Sequence, residues 1–314
     1  MNHPSRIPPP HRPVIDGEWR ILFTPQQHGC YVNDHCLTRG PDGRWHLFGI
    51  TAPQAKPDPE HERYFVHAVG GQRLSEPMNE AGKACDDGTR AWSPGIARIG
   101  PHYCMFYSPS PTKMVSSVDL THWIGHEVHL HGAPMDIAHR DHMVFQVAED
   151  QWLLYIVGVQ DWHGQVAVFT SSDLRDWRYV QLCLRTGGAA PLQPPWGACE
   201  SPFVVKYGGW YYMLMTYTDC NPANYQDTLV FRSLNPYDFG SYAGQEAGKL
   251  AEAAGETPPT AGQAIVARLQ THGPELIHDE LDDRWYITNC GWLGRGVPNE
   301  GSVSIAPVQW EQDA

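Results

Sequence analysis

No apolar run in this 314-residue chain approaches the ~20 residues that cross a bilayer as a helix, so no membrane span is expected. The opening residues, MNHPSRIPPPHRP, have no apolar core of the secretory-signal kind, which points to a cytoplasmic protein. None of the eight cysteines falls in a Cys-x-x-Cys pair, so they read as free, mostly buried thiols. The seventeen histidines lack HExxH-type spacing, and no metal site is assigned. Basic residues are scarce: 22 Lys and Arg face 35 Asp and Glu, for a net charge of −13. That balance argues against non-specific binding to nucleic acid or to anionic membranes and leaves neutral ligands such as sugars. Helical periodicity is weak as well. Only GQEAGKLAEA, at about 244–253, reads as a helix, inside a Gly-, Ala- and Pro-rich insertion at about 240–268. That insertion is compatible with a surface loop, a cleft wall or a homo-oligomer contact.

What remains is rich in strand signals. Twelve Trp and fourteen Tyr are many for the length, and they suit both β packing and carbohydrate clefts. Eight short runs of aromatic and β-branched residues, among them RWHLFGI, HYCMFYS, QWLLYIVG and WYYMLMTY, are separated by Gly, Pro, Asp and Asn. They fall into five recurring groups that open at 33, 92, 140, 200 and 272. Each group has a small or polar opening, an apolar strand, a polar turn and a second aromatic strand. The later groups close on a third strand, and SSVDLTHW (116–123) echoes SSDLRDW (171–177). Five such units predict an all-β fold, a five-bladed β-propeller. Residues 1–25 are expected to be an N-terminal extension and 26–314 a single propeller domain.

In a propeller the first strand of each blade lies nearest the axis, so the group openings converge at one mouth. They are Asn33-Asp34, Trp92-Ser93, Arg140-Asp141, Glu200 and His272. Singly, each acid suits an ordinary strand end. Together, Asp34, Asp141 and Glu200 would repel one another at one funnel, a cost that a site requiring one protonated and one ionised carboxyl explains. That requirement is the one glycoside hydrolysis imposes. Four histidines, His28, His35, His139 and His142, flank the two aspartate motifs and could bind substrate or tune pKa values.

The order of these motifs resembles the catalytic propeller of glycoside hydrolase family 32 and, more distantly, family 43. YVNDHCL (31–37) is similar to the first-blade Asn-Asp motif, RDHMVF (140–145) to the Arg-Asp-Pro motif, and ESP (200–202) to the Glu-Cys-Pro or Glu-Gly-Pro motif. The resemblance runs over about 30–310. It departs where His35-Cys36-Leu37 replaces Pro-Asn-Gly, where His142 replaces a proline, and where Ser201 replaces Cys or Gly. It implies catalytic roles for Asp34 as nucleophile or base, Asp141 as transition-state stabiliser and Glu200 as general acid. Asn33, Trp92, Ser93, Arg140, His142 and His272 would bind substrate, with Arg140 also keeping Asp141 ionised. No cofactor is implied, although a cation or water beside His272 on the axis is compatible with the family 43 pattern. The expected activity is hydrolysis of a terminal furanoside, β-fructofuranoside first. Alternatives are a family 43-type α-L-arabinofuranosidase or a related inverting glycosidase, and a non-catalytic sugar-binding propeller. The expected partner is a small saccharide or oligosaccharide.

Overall fold

The structure, a computed structural model, describes residues 7–54, 58–133, 137–160, 163–186, 199–217, 227–242, 265–290 and 301–313. Among them there are strands and no helix. The chain enters with β1 (His11–Ile15) and β2 (Arg20–Phe23). The first sheet is β3 (His35–Arg39), β4 (Trp45–Thr51), β5 (Tyr64–Val69) and β6 (Asn79–Ala84), in that order. The second is β7 (Trp92–Ile99), β8 (His102–Ser108), β9 (Lys113–Ser117) and β10 (Ile124–His126). After β11 (His129–His131) comes the third: β12 (Ile137–Ala148), β13 (Gln151–Gln160), β14 (His163–Ser171) and β15 (Asp176–Thr186), with β11 lying parallel to β15. The fourth sheet holds β16 (Cys199–Tyr207), β17 (Trp210–Tyr217) and β18 (Asp227–Ser233). The short β19 (Ser241–Tyr242) reaches back to β15, and β20 (Ile265–Gln270) completes the fourth sheet. The fifth is β21 (Leu276–Asp279), β22 (Arg284–Asn289) and β23 (Val303–Gln312).

The core decides between a sandwich and a propeller. A sandwich has one core between two faces. Here five separate apolar clusters lie between successive sheets. Phe48 and Phe65 of the first sheet meet Met105 and Tyr107 of the second. Phe106 meets Leu154 and Trp177, Val166 meets Met213 and Phe231, and Leu214 meets Ile287 and Val308. The fifth cluster joins the last sheet to the first, Tyr286 and Ile305 against Leu37 and Leu47. The ring is therefore closed, and the expected five-bladed propeller is the fold. Middle strands such as β4 are buried along their whole length because both faces pack on a neighbouring blade.

Two expectations are corrected. The segment read as an N-terminal extension is part of the last blade: β1 pairs with β23 from His11↔Gln312 to Ile15↔Val308, and β2 pairs with the other half of β23. Leu22 and Phe23 are fully buried in the cluster that joins the fifth blade to the first. The SSDLxxW echo is a turn, not a closing strand. Ser117 and Ser171 each accept backbone N–H groups of the next turn, Leu120 at 2.8 Å and Leu174 at 2.9 Å. Leu120 and Leu174 then take positive φ of 64° and 66°. Trp177 ends the turn, fully buried, with its indole donating to the Leu174 carbonyl at 2.9 Å. Ser171→Ala is expected to cost about 1 kcal/mol in urea unfolding, since it strands the buried Leu174 N–H. The helix read at 244–253 lies outside the described residues.

Candidate active site

Three inner strands begin with the same irregularity. Trp92 pairs with Ser108 and Gly95 with Phe106; Arg140 pairs with Val157 and Met143 with Tyr155; Glu200 pairs with Thr216 and Phe203 with Leu214. In each case one extra residue is squeezed into the inner strand, which is a β-bulge. The residue after the first pair is left-handed: Ser93 at φ 45°, Asp141 at 59°, Ser201 at 51°, and Gly273 at 52° before β21. For a residue with a Cβ this backbone costs roughly 1–2 kcal/mol. Strain repeated at one place around the axis marks a built site.

The kinks bring the side chains of 93, 141 and 201 together with Asp34 in a closed ring. The Ser93 hydroxyl lies 2.7 Å from Asp34 Oδ2 and 2.6 Å from Asp141 Oδ1. The Ser201 hydroxyl donates to Asp34 Oδ1 at 2.8 Å, and the Ser201 N–H donates to Asp141 Oδ2 at 3.0 Å. Gly273 closes the ring. A Cβ there would stand 2.8 Å from Asp34 Oδ1, so only glycine fits.

One residue earlier in each blade lies a second tier: Asn33, Trp92, Arg140, Glu200 and His272. Glu200 thus stands in register with Arg140, not with Asp34 and Asp141, so the three carboxylates occupy two tiers. Arg140 is buried and joins the tiers. Its guanidinium pairs with Asp141 and lies 3.3 Å from Glu200 Oε1 and 3.3 Å from the Cys199 carbonyl. His272 Nε2 lies 3.7 Å from Glu200 Oε2. Its Nδ1 is 3.0 Å from the Cys290 carbonyl, and its backbone N–H donates to Asn289 at 2.8 Å. Asn33 and Trp92 are half-buried at the same level, with the Arg90 guanidinium 5.4 Å from the centre of the Trp92 indole.

The electrostatics differ from expectation at two residues. Arg140 does not hold Asp141 at an ordinary carboxylate pKa. Burial raises Asp141 to about 6, with Asp34 and Glu200 adding repulsion, and Arg140 and Ser93 only partly offset this. Arg140 is also occupied by protein groups rather than presented to a sugar hydroxyl. Glu200 is flanked by Arg140 and His272. Burial alone would depress His272, but contacts with Cys290 and Glu200 and the field of Asp34 leave its pKa well raised.

His142 is not at the mouth. It is buried, its Nε2 lies 2.8 Å from the Thr112 hydroxyl, and it lines a narrow cavity that adjoins the ring. The residues that follow the ring, including His35, Pro94, Pro202 and Pro274, line the same space, whereas Arg140, Glu200 and His272 do not. His35 is likewise buried, on the Thr288 hydroxyl at 2.9 Å, and burial lowers its pKa to about 3. His28 pairs with Glu80 at 2.6 Å, and the side chain of His139 is outside the described residues. No group of three or more potential ligands positioned for a metal occurs among the described residues.

Two carboxyls were not singled out from the sequence. Glu62 is buried beside Asp34 and Trp92. Burial raises it to about 7, while the Tyr31 hydroxyl, donating at 2.8 Å, and the Trp92 indole favour its charged form. Glu275 faces the inner cavity, accepts the Leu37 N–H at 2.8 Å, and burial raises it to about 8. Neither stands at a group opening itself, so the repeat did not point to them. Glu275, three residues past His272, was within reach of a scan for acids entering an inner strand.

No family model and no curated protein matches the sequence. Solved structures do match the fold. The GH43_1 enzyme from Xanthomonas citri complexed with xylotriose is similar at 13% identity and TM-score 0.57, over 92% of this chain and 89% of that one. An exo-1,5-alpha-L-arabinanase from a bovine ruminal metagenomic library gives 14%, TM-score 0.60, and 92% and 99%. Fructan 1-exohydrolase IIa from Cichorium intybus gives 15%, TM-score 0.59, and 91% and 57%. At these identities the likeness speaks for the propeller itself.

Proposed function

We propose that the protein is a glycoside hydrolase acting on the terminal residue of a small furanoside. One observation carries this reading: two tiers of carboxyls meet at the start of the inner strands, with Asp34 held through both oxygens and Glu200 clasped between two cations. The proposed base or nucleophile is Asp34, which is only half-buried. Its carboxyl is fixed in rotation by Ser201 on one oxygen and Ser93 on the other, as an attacking group requires. The proposed acid is Glu200. Arg140 and His272 both favour its ionised form, so the acid role needs a proton source. His272 is the flanking cation able to release one: the Nε2 proton passes to Glu200 Oε2, leaving a neutral imidazole and a neutral carboxyl. Glu200 then protonates the leaving sugar oxygen. Either Asp34 attacks the anomeric carbon and water later hydrolyses the glycosyl-enzyme, or Asp34 activates water directly.

Substrate class rests on the resemblance. β-Fructofuranosides come first. α-L-Arabinofuranosides come second, supported by the similar structure of an exo-1,5-alpha-L-arabinanase, which matches nearly end to end. A panel of aryl furanosides and short fructo- and arabino-oligosaccharides tests the proposal, with the first anomer released followed by NMR. Retention supports attack by Asp34, and inversion supports activated water. If no furanoside is turned over while sugars bind, the protein is a sugar-binding propeller and the enzymatic reading is wrong.

A further inference from the structure

We infer that Asp34 and Asp141 share one proton through the Ser93 hydroxyl, so that the protonated pair carries a single negative charge. The donors around Ser93 do not suffice for two ionised carboxylates. Ser93 Oγ makes two short contacts, 2.7 Å to Asp34 Oδ2 and 2.6 Å to Asp141 Oδ1. A hydroxyl has one proton to donate. If both carboxyls were ionised, one contact would press an oxygen lone pair against a carboxylate oxygen with no hydrogen between them. A proton on one carboxyl removes the conflict: one acid donates to Ser93, and Ser93 donates to the other. The remaining oxygens are already engaged, Asp34 Oδ1 by the Ser201 hydroxyl and Asp141 Oδ2 by the Ser201 N–H and Arg140. The left-handed backbone of Ser93 and its burial hold the hydroxyl between the two acids.

The arrangement has two forms. In one, Asp141 Oδ1–H donates to Ser93 and Ser93 donates to ionised Asp34. In the other, the direction is reversed. Interconversion moves the Asp141 proton to Ser93 Oγ as the Ser93 proton moves to Asp34 Oδ2, with no heavy-atom displacement and no change of total charge. The first form leaves Asp34 ionised. Asp141 is fully buried, and burial places its titration at about 6. The groups that face the pair are Arg140 and Glu200, His272 and Cys290 from the last blade, Glu62 beside Asp34, and His35 and Glu275 along the inner cavity. Ser93 is thus a positioning residue that returns Asp34 to its charged form. This relay role rests on the glycosidase reading, whereas the shared proton does not.

Infrared difference spectra of wild type against Asp141→Asn isolate the neutral carboxyl band of Asp141 without any substrate. The band is expected below pH of about 6. Ser93→Gly removes the hydroxyl and relieves the backbone, so it carries the test; Ser93→Ala removes the hydroxyl and keeps the strain. Both are expected to lower the pH at which the band disappears by about one unit, because in the shared-proton pair Ser93 accepts from the neutral Asp141 carboxyl. A Ser93 that only donates to Asp141 would hold that carboxyl down, and its removal would raise the pH instead, which would overturn the inference. On a furanoside that is turned over, the same displacement is expected in one limb of the kcat/KM profile, with KM unchanged. An unshifted band in Ser93→Gly, or no neutral carboxyl band in wild type, overturns the inference. Failure to find a substrate bears only on the glycosidase reading.

Discussion

Glu200→Gln is expected to lower turnover of an unactivated furanoside by about 10²- to 10⁴-fold while sugar binding is retained. The substitution keeps the shape and removes the transferable proton. Its size depends on the leaving group, and this separates the proposed roles. A nitrophenyl leaving group departs without protonation, so Glu200→Gln should lose far less on nitrophenyl furanosides than on oligosaccharides. Asp34→Asn should lose as much on both, because bond formation at the anomeric carbon, or activation of water, fails whichever group leaves. Initial rates on matched substrates, with sugar affinity followed by calorimetry, give the comparison. Equal losses for the two variants on both substrates would take the acid role from Glu200. Unchanged turnover in both would take the chemistry away from this mouth.

Much of this geometry was readable because a propeller repeats. The buried middle strands, HYCMFYS and WYYMLMTY among them, are β8 and β17 to the residue. Apolar runs packed on both faces leave a signal that no turn residue interrupts. Edge strands do not. β6, NEAGKA, alternates exposed and half-buried positions, carries no large apolar residue and buries only its last, so its pairing with β5 shows only in the fold. β1 and β2 were missed for a different reason: they lie some 290 residues from the strand they pair with, in a proline-rich setting that reads as a tail. The mouth was found, and its two tiers were not. Asp34, Asp141 and Glu200 all precede apolar strands, but the one-residue offset of Glu200 depends on bulges set by left-handed Ser93, Asp141 and Ser201. Nothing in Trp-Ser-Pro, Arg-Asp-His or Glu-Ser-Pro announces that backbone. The serine between two aspartates likewise becomes meaningful only when 93 is brought to 34 and 141.

Arg140→Met is expected to destabilise the protein by about 3–5 kcal/mol at neutral pH. Arg140 lies at 9% relative exposure, and its guanidinium reaches Asp141, Glu200 and the Cys199 carbonyl together. Methionine fills similar space but leaves two buried carboxyls without their shared cation. The loss should depend on pH, and its sign follows from Asp141. Folding already raises that carboxyl to about 6, and removing Arg140 raises it further. An acid whose folded pKa lies above its unfolded value costs stability as pH rises between the two, because the unfolded chain ionises first. The deficit should therefore be smaller near about pH 5, where a neutral Asp141 needs no cation and only Glu200 loses its partner, and larger near about pH 8. Arg140→Lys should fall between, since one ammonium supplies the charge but cannot span the two carboxyls and the carbonyl as a fork does. Urea midpoints at the two pH values provide the measurement. An equal loss at both would make Arg140 a packing residue and would remove the electrostatic link between the two tiers.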